Sequence, residues 1–262
     1  MSWFSINGLV TSSSPVVITD QLASPADFLL HQLLSEYVKS SPDAKCIIIS
    51  TAQDLVKWKA ISSRSGLNLA QKLEQGSIIF IDVPNQLPDL SLSDGASLLP
   101  LLDLIRSCVE RQNDAQNTLV IFDELATFEW IGHSALDISR FARALVAYCA
   151  KASGEPHPSL AVLQDALLFQ GAISLVVRYH IAASGDLDSV LRILLQLSAY
   201  HIEVLPLSSG KSGSVSGEIA LHAGVALSGK PLRVIPRSQA LQYRLGDYHA
   251  TYFERGTGHA VL

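Results

Sequence analysis

The residues most able to do chemistry lie in the run Leu119-Val120-Ile121-Phe122-Asp123-Glu124. An apolar strand that ends in two adjacent carboxylates matches a Walker B strand, whose Asp holds magnesium and whose acidic neighbour orients water. Asp123 and Glu124 are therefore the candidate nucleotide-binding pair. Such a pair needs a phosphate loop, with glycines that let backbone N–H groups approach phosphate and a Lys-Ser/Thr pair for phosphate and magnesium. The first strand-to-helix turn is the place for it, and there the chain reads Asp20-Gln21-Leu22-Ala23-Ser24-Pro25-Ala26-Asp27, without Gly or Lys. Its two carboxylates satisfy a helix N-terminus and repel phosphate. This turn reads as an ordinary capped helix.

Gly210-Lys211-Ser212 resembles the end of a phosphate loop, but Leu205 stands where the leading glycine belongs. A strand-like run follows it where a helix is needed, so a hairpin turn is the plainer reading. The eight histidines show no helical metal-ligand spacing. Trp58, between Lys57 and Lys59, has helical spacing with Leu55 and Ile61, which favours packing over nucleic-acid contact. Lys211, Lys230, Arg233, Arg237 and Arg244 gather toward the C-terminus and offer scattered positive charge. They could touch phosphate, although scattered surface charge is the commoner meaning of such a group. No catalytic constellation emerges, and neither cofactor nor metal is expected.

The elements that carry these residues alternate strand and helix, the pattern of an α/β sheet. Strands are expected at 16–19, 46–50, 78–82, 118–123, 159–164 and 174–183. Helices are expected over about 24–39 with Ser24 as cap, from Thr51 or Asp54 to near Gly66, and at 69–74, 96–111, 134–153 and 188–198, with a loop between Pro84 and about Asp94. From residue 201 short strands at 201–207, 218–223, 240–245 and 250–254 read as an antiparallel meander, the last two joined by Gly246-Asp247. No composition break divides the 262 residues, so residues 1–262 are read as one domain.

Composition agrees with a large core. The chain is 48% hydrophobic and 16% charged, against about 25% charged in an average domain. That excludes disorder, and the net charge of −5 argues against a free-standing nucleic-acid binder. Low charge also points to surface covered by partners. Cys46, Cys108 and Cys149 are widely spaced, which fits buried thiols in a reducing compartment better than disulfides or zinc ligands. The uncharged stretch Met1–Thr19 has no basic start and no continuous apolar centre, and 166–177 is too short to span a bilayer. A cytoplasmic or nuclear protein away from membranes is expected.

Several stretches together carry a resemblance. They are the helix Ser24-Pro25-Ala26-Asp27-Phe28-Leu29-Leu30-His31 onward after a glycine-poor turn, the acid-ended strand at Asp123, and the closing Gln242-Tyr243-Arg244-Leu245, Tyr252-Phe253 and Gly256. In these the chain resembles the family of the sixth subunit of the Elongator complex, over nearly its whole length and least well across 157–188. The resemblance implies a RecA-like three-layer α/β fold that has lost its P-loop, with a mainly parallel sheet and an antiparallel C-terminal extension. It implies a non-catalytic accessory subunit. Its partners would be the fourth and fifth Elongator subunits in a heterohexameric ring, the remaining Elongator subunits, and tRNA held by the assembled ring, with Lys211 in its Ser/Gly turn the candidate on this chain for the tRNA path. That ring supports wobble-uridine modification and hydrolyses ATP at sites between neighbours, so the chain could lend groups to a shared site. Two other readings stand beside it: a RecA-like ATPase acting alone through Asp123 and Glu124, and a small-molecule α/β enzyme with an unrecognised site.

Overall fold

In a computed structural model, described here for residues 7–10, 15–41, 43–92, 97–112, 117–152, 172–182, 189–207, 210, 212, 214–227, 232–247 and 249–256, the chain builds one nine-stranded sheet. The strands are β1 (Val16–Asp20), β2 (Lys45–Ser50), β3 (Ile78–Asp82), β4 (Asn117–Phe122), β5 (Ala172–His180), β6 (Tyr200–Leu205), β7 (Gly217–Ala223), β8 (Leu241–Leu245) and β9 (Ala250–Phe253). Their order is β3-β2-β4-β5-β1-β6-β7-β8-β9. The pairs from β3 across to β6 are parallel, and those from β6 to β9 are antiparallel. The expected meander is thus β6 to β9, and its first strand also pairs with the parallel part of the sheet. β6 is the hinge, parallel to β1 on one side and antiparallel to β7 on the other.

Parallel strands buried on both faces read as continuous apolar runs, and β1, β2 and β4 do so. Alternation then sorts their side chains into two cores. Val16, Ile18, Cys46, Ile48, Leu119 and Ile121 face Leu29, Leu33 and Leu34 of the helix Asp27–Ser40 and Trp58 of the helix Leu55–Arg64. Val17, Ile47, Ile49, Val120 and Phe122 face Leu101 and Ile105 of the helix Leu99–Glu110, Ile138 and Phe141 of the helix Ala135–Ala152, and Leu194 of the helix Ser189–Leu197. Two helical layers thus enclose the sheet as far as β1. Beyond it the side of the sheet shared with Val17 turns polar, at His201, Glu203, Glu218 and His222. Each buried glutamate there holds an arginine: Arg237 grips Glu203 through two nitrogens, and Arg255 lies 2.7 Å from Glu218.

Short helical turns at Val83–Gln86 and Asp89–Leu92 occupy the expected loop after β3. The first is nucleated by Asp82, which accepts the Asn85 N–H. The strand expected at 159–164 lies outside the described residues. The three cysteines are buried, and burial pushes their thiols up. One tight approach fixes the end of β7. A Cβ on Gly224 would meet the Ser198 carbonyl oxygen at 2.1 Å, while the Gly224 N–H donates to Ala199 at 2.7 Å. Gly224→Ala is expected to cost about 2 kcal/mol through this backbone clash. Urea unfolding with an unchanged midpoint would show that the two segments yield instead.

Candidate functional site

In an open α/β sheet, function gathers where parallel strands end at their carboxyl edge. Here that edge collects Asp20 from β1, Ser50 from β2, Asp123 and Glu124 just after β4, and Arg178 and His180 from β5. All four carboxylates of the neighbourhood (Asp20, Asp27, Asp123 and Glu124) turn toward internal partners.

Asp20 is 0% exposed and closes the turn from within. Its Oδ2 accepts the Ala26 N–H at 2.6 Å, and its Oδ1 lies 3.0 Å from His180 Nδ1. The expected cap at Ser24 is not formed. The helix begins at Asp27, with Ala26 in the capping position and no side-chain bond from it. A carboxylate reaching back from the preceding strand does the capping, at the N–H that a phosphate would use. The second expected cap holds at Asp54, which accepts the Lys57 N–H at 2.7 Å. Thr51 instead turns toward Asp123.

Arg178 is the hub. Its guanidinium lies 2.9 Å from Asp20 Oδ2, 2.7 Å from Asp27 Oδ1 and 3.5 Å from Glu124 Oε2, and Nη1 donates to the Asp123 carbonyl at 3.3 Å. Burial works against its charge, but Asp20, Glu124 and Asp27 outweigh burial and hold its pKa above the usual arginine value. Sequence reasoning missed Arg178 and His180. Their signal was a lone arginine in an otherwise apolar run, which in a buried strand demands carboxylate partners.

Asp123 is as fully engaged. Oδ1 accepts the Thr51 N–H at 2.8 Å and the Ala52 N–H at 3.3 Å, and Oδ2 accepts the Ser50 hydroxyl. Burial raises its pKa against those bonds. Glu124 is 2% exposed. Its Oε1 accepts the Ala126 and His180 N–H groups, each at 3.0 Å. Burial pushes its pKa up to about 7 against the pull of Arg178. The structure thus brings the two candidates Asp123 and Glu124 together with Asp20, Arg178 and His180. Lys211 lies outside the described residues; its neighbour Gly210 has a φ of +88°, the geometry of a turn. One donor atom from each of Asp20, Glu124 and His180 converges within 4.8 Å of the others.

Large apolar side chains stand exposed near this edge. Leu22 in the first turn is 88% exposed, and Trp130 and Leu136 beside β4 and β5 are 60% and 59% exposed. Trp130 meets His180 edge-on, with ring centroids 5.7 Å apart. No helix among the described residues is long and apolar enough to cross a membrane.

Comparison with known proteins assigns this arrangement. A solved KaiC-like protein from the hyperthermophilic archaeon Pyrococcus horikoshii superposes with a TM-score of 0.58 at 10% identity, over 92% of this chain and 90% of that one. The fold is therefore α/β and RecA-like, with a mostly parallel sheet and antiparallel C-terminal strands. Elongator complex protein 6 of Xenopus laevis is 24% identical over 257 residues, covering 90% of this chain and 88% of its own length. The Danio rerio protein of the same name is 24% identical over 271 residues, covering 94% and 92%. The model of the family described as Elongation complex protein 6 matches residues 6–247, and the chain belongs to that family.

Proposed function

We propose that the chain is a non-catalytic subunit of an Elongator assembly, folded as one domain. It joins the fourth and fifth subunits in a heterohexameric RecA-like ring that binds tRNA and supports wobble-uridine modification. The observation that carries the non-catalytic part is Arg178, held at 2.9 Å and 2.7 Å from Asp20 and Asp27 at the turn where a nucleotide phosphate would sit. A guanidinium compensated by three carboxylates leaves an incoming triphosphate facing negative charge and a helix N-terminus already capped. Family membership supports the Elongator role. The exposed Leu22, Trp130 and Leu136 support subunit contact, because interface centres favour large apolar side chains over charge.

A lone ATPase acting through Asp123 and Glu124 is the poorer reading. Asp123 spends both oxygens on Ser50, Thr51 and Ala52, which leaves it ill placed to hold magnesium. Its bonds brace β4 against the end of β2. On this reading Asp123 and Glu124 are structural, any nucleotide at the ring lies across an interface with a neighbour, and Lys211 meets tRNA in the assembled ring. The compartment is cytoplasmic or nuclear.

One purification tests the reading. Co-expressed with the fourth and fifth subunits, the chain is expected to co-elute with them as a stable complex, and alone it is expected to gain no thermal stability from magnesium and ATP. Exclusion from that complex, or ATP turnover by the isolated chain that vanishes in Asp123→Ala, would overturn it.

A further inference from the structure

We propose that Asp20, Glu124 and His180 form a binding site for one divalent metal ion of the zinc class, at the carboxyl edge of the sheet beside Arg178. The three residues come from separate segments: Asp20 ends β1, His180 ends β5 and Glu124 follows β4. Asp20 and His180 are register partners on neighbouring strands, so the sheet itself sets the two donors side by side. Asp20 Oδ1 and His180 Nδ1 stand 3.0 Å apart, and a Glu124 donor completes a set within 4.8 Å. Bonds from zinc to imidazole nitrogen and carboxylate oxygen run about 2.0–2.2 Å, so one ion can reach all three with small shifts.

Two independent observations point to a ligand. Glu124 Oε2 is buried and accepts no hydrogen bond; its one nearby cation is the Arg178 guanidinium at 3.5 Å, while Oε1 takes two backbone N–H groups. A buried carboxylate oxygen that accepts no hydrogen bond is costly, and a metal ion bonded to Oε2 offsets that cost more fully than a guanidinium at ion-pair distance. The second is the charge balance. Asp20, Asp27 and Glu124 share the single guanidinium of Arg178, and Lys57 reaches Asp27 alone, at 3.5 Å. With Glu124 ionised, the three carboxylates exceed the one guanidinium they share, and a metal ion displaces the proton that burial otherwise favours on Glu124.

One imidazole and two carboxylates suit zinc, and also manganese, better than the softer metals that seek thiolates. Coordination replaces the His180–Asp20 hydrogen bond: the Nδ1 lone pair goes to the metal, and the ring proton sits on Nε2. Arg178 keeps Asp20 Oδ2 and orients that carboxylate, as partners behind metal ligands do. The His180 side chain is 14% exposed, which gives the ion a path from solvent.

The test is a calorimetric titration of the chelator-stripped full-length chain with zinc chloride, repeated for Glu124→Gln and His180→Ala. Saturable binding of one equivalent is expected, weakened by at least about tenfold in each variant. The same protein titrated with cobalt chloride is expected to develop visible bands of a nitrogen- and oxygen-ligated site without a thiolate charge-transfer band. This readout on the unmodified chain holds even where a variant folds poorly. Absence of saturable binding, equal affinity in wild type and both variants, or a thiolate band pointing to cysteine ligands would each overturn the proposal. None of these outcomes bears on co-elution with the other subunits, so the two readings fail separately.

Discussion

Replacing Arg178 with Met is expected to lower the unfolding free energy by about 3–5 kcal/mol, the range found when one partner of a buried ion pair is removed. The side chain is 8% exposed and lies within 3.5 Å of carboxylates from β1, from the start of the helix Asp27–Ser40 and from the end of β4. Met fills a similar volume, so packing changes little. Asp20 at 0% and Glu124 at 2% exposure then lose their compensating cation. A surface pair sets the scale for comparison. Arg140, whose side chain is 69% exposed, pairs with Asp137 at 3.5 Å, and such pairs contribute about 0–1 kcal/mol. Urea unfolding of Arg178→Met beside Arg140→Met decides the matter: equal losses would remove Arg178 as the hub. Adding Glu124→Gln to Arg178→Met is expected to restore part of the loss, because the amide removes one uncompensated charge from the same pocket.

The sequence made the outline of this pocket legible and left its keystone hidden. Two carboxylates near the first helix, with neither glycine nor lysine between them, announce that the turn does not cradle phosphate. Asp20 and Asp27 do flank the helix start, although Asp20 caps it through Ala26 where Ser24 was expected. The reason is reach: a carboxylate at the end of a strand points along the same edge as the free N–H groups, a geometry that local cap patterns do not describe. The apolar strands were readable because burial on both faces leaves little choice of residue. Arg178 and His180 were not, because their roles depend on β5 lying between β4 and β1. That neighbourhood joins Asp20 to Arg178 across 158 residues of chain, and no local periodicity reports such a pairing. The same holds for β6. Its apolar alternation looks alike in either direction, and only the identity of its neighbours makes it the strand where the sheet changes sense.

A separate consequence of burial concerns pH. His31 is 3% exposed, packed against Trp58 with ring centroids 4.2 Å apart, and its Nε2 lies 3.2 Å from Gln53 Oε1. Burial pushes its pKa from 6.5 down to about 4; the Gln53 bond and Asp27 pull the other way, while Lys57 and Arg178 reinforce the fall. The fold thus holds the imidazole neutral while the unfolded chain binds a proton below 6.5. Between those values the unfolded state carries more protons, so the contribution of His31 is fully present above about pH 6.5 and is lost as pH falls toward 4. Each pH unit of that window corresponds to about 1.4 kcal/mol. His31→Gln keeps an N–H donor for Gln53 and has nothing to titrate. Relative to wild type, the variant is therefore expected to gain about 2 kcal/mol between pH 7 and pH 4.5. The difference between the two profiles is the readout, because Glu124, raised to about 7, favours the fold at acid pH and bends the wild-type curve in the opposite sense. Urea unfolding of both proteins with a chelator present, at pH 7 and 4.5, measures it. Parallel losses would mean that His31 meets water in the native state, and with it that the interface between the helices Asp27–Ser40 and Leu55–Arg64 is open where Trp58 closes it.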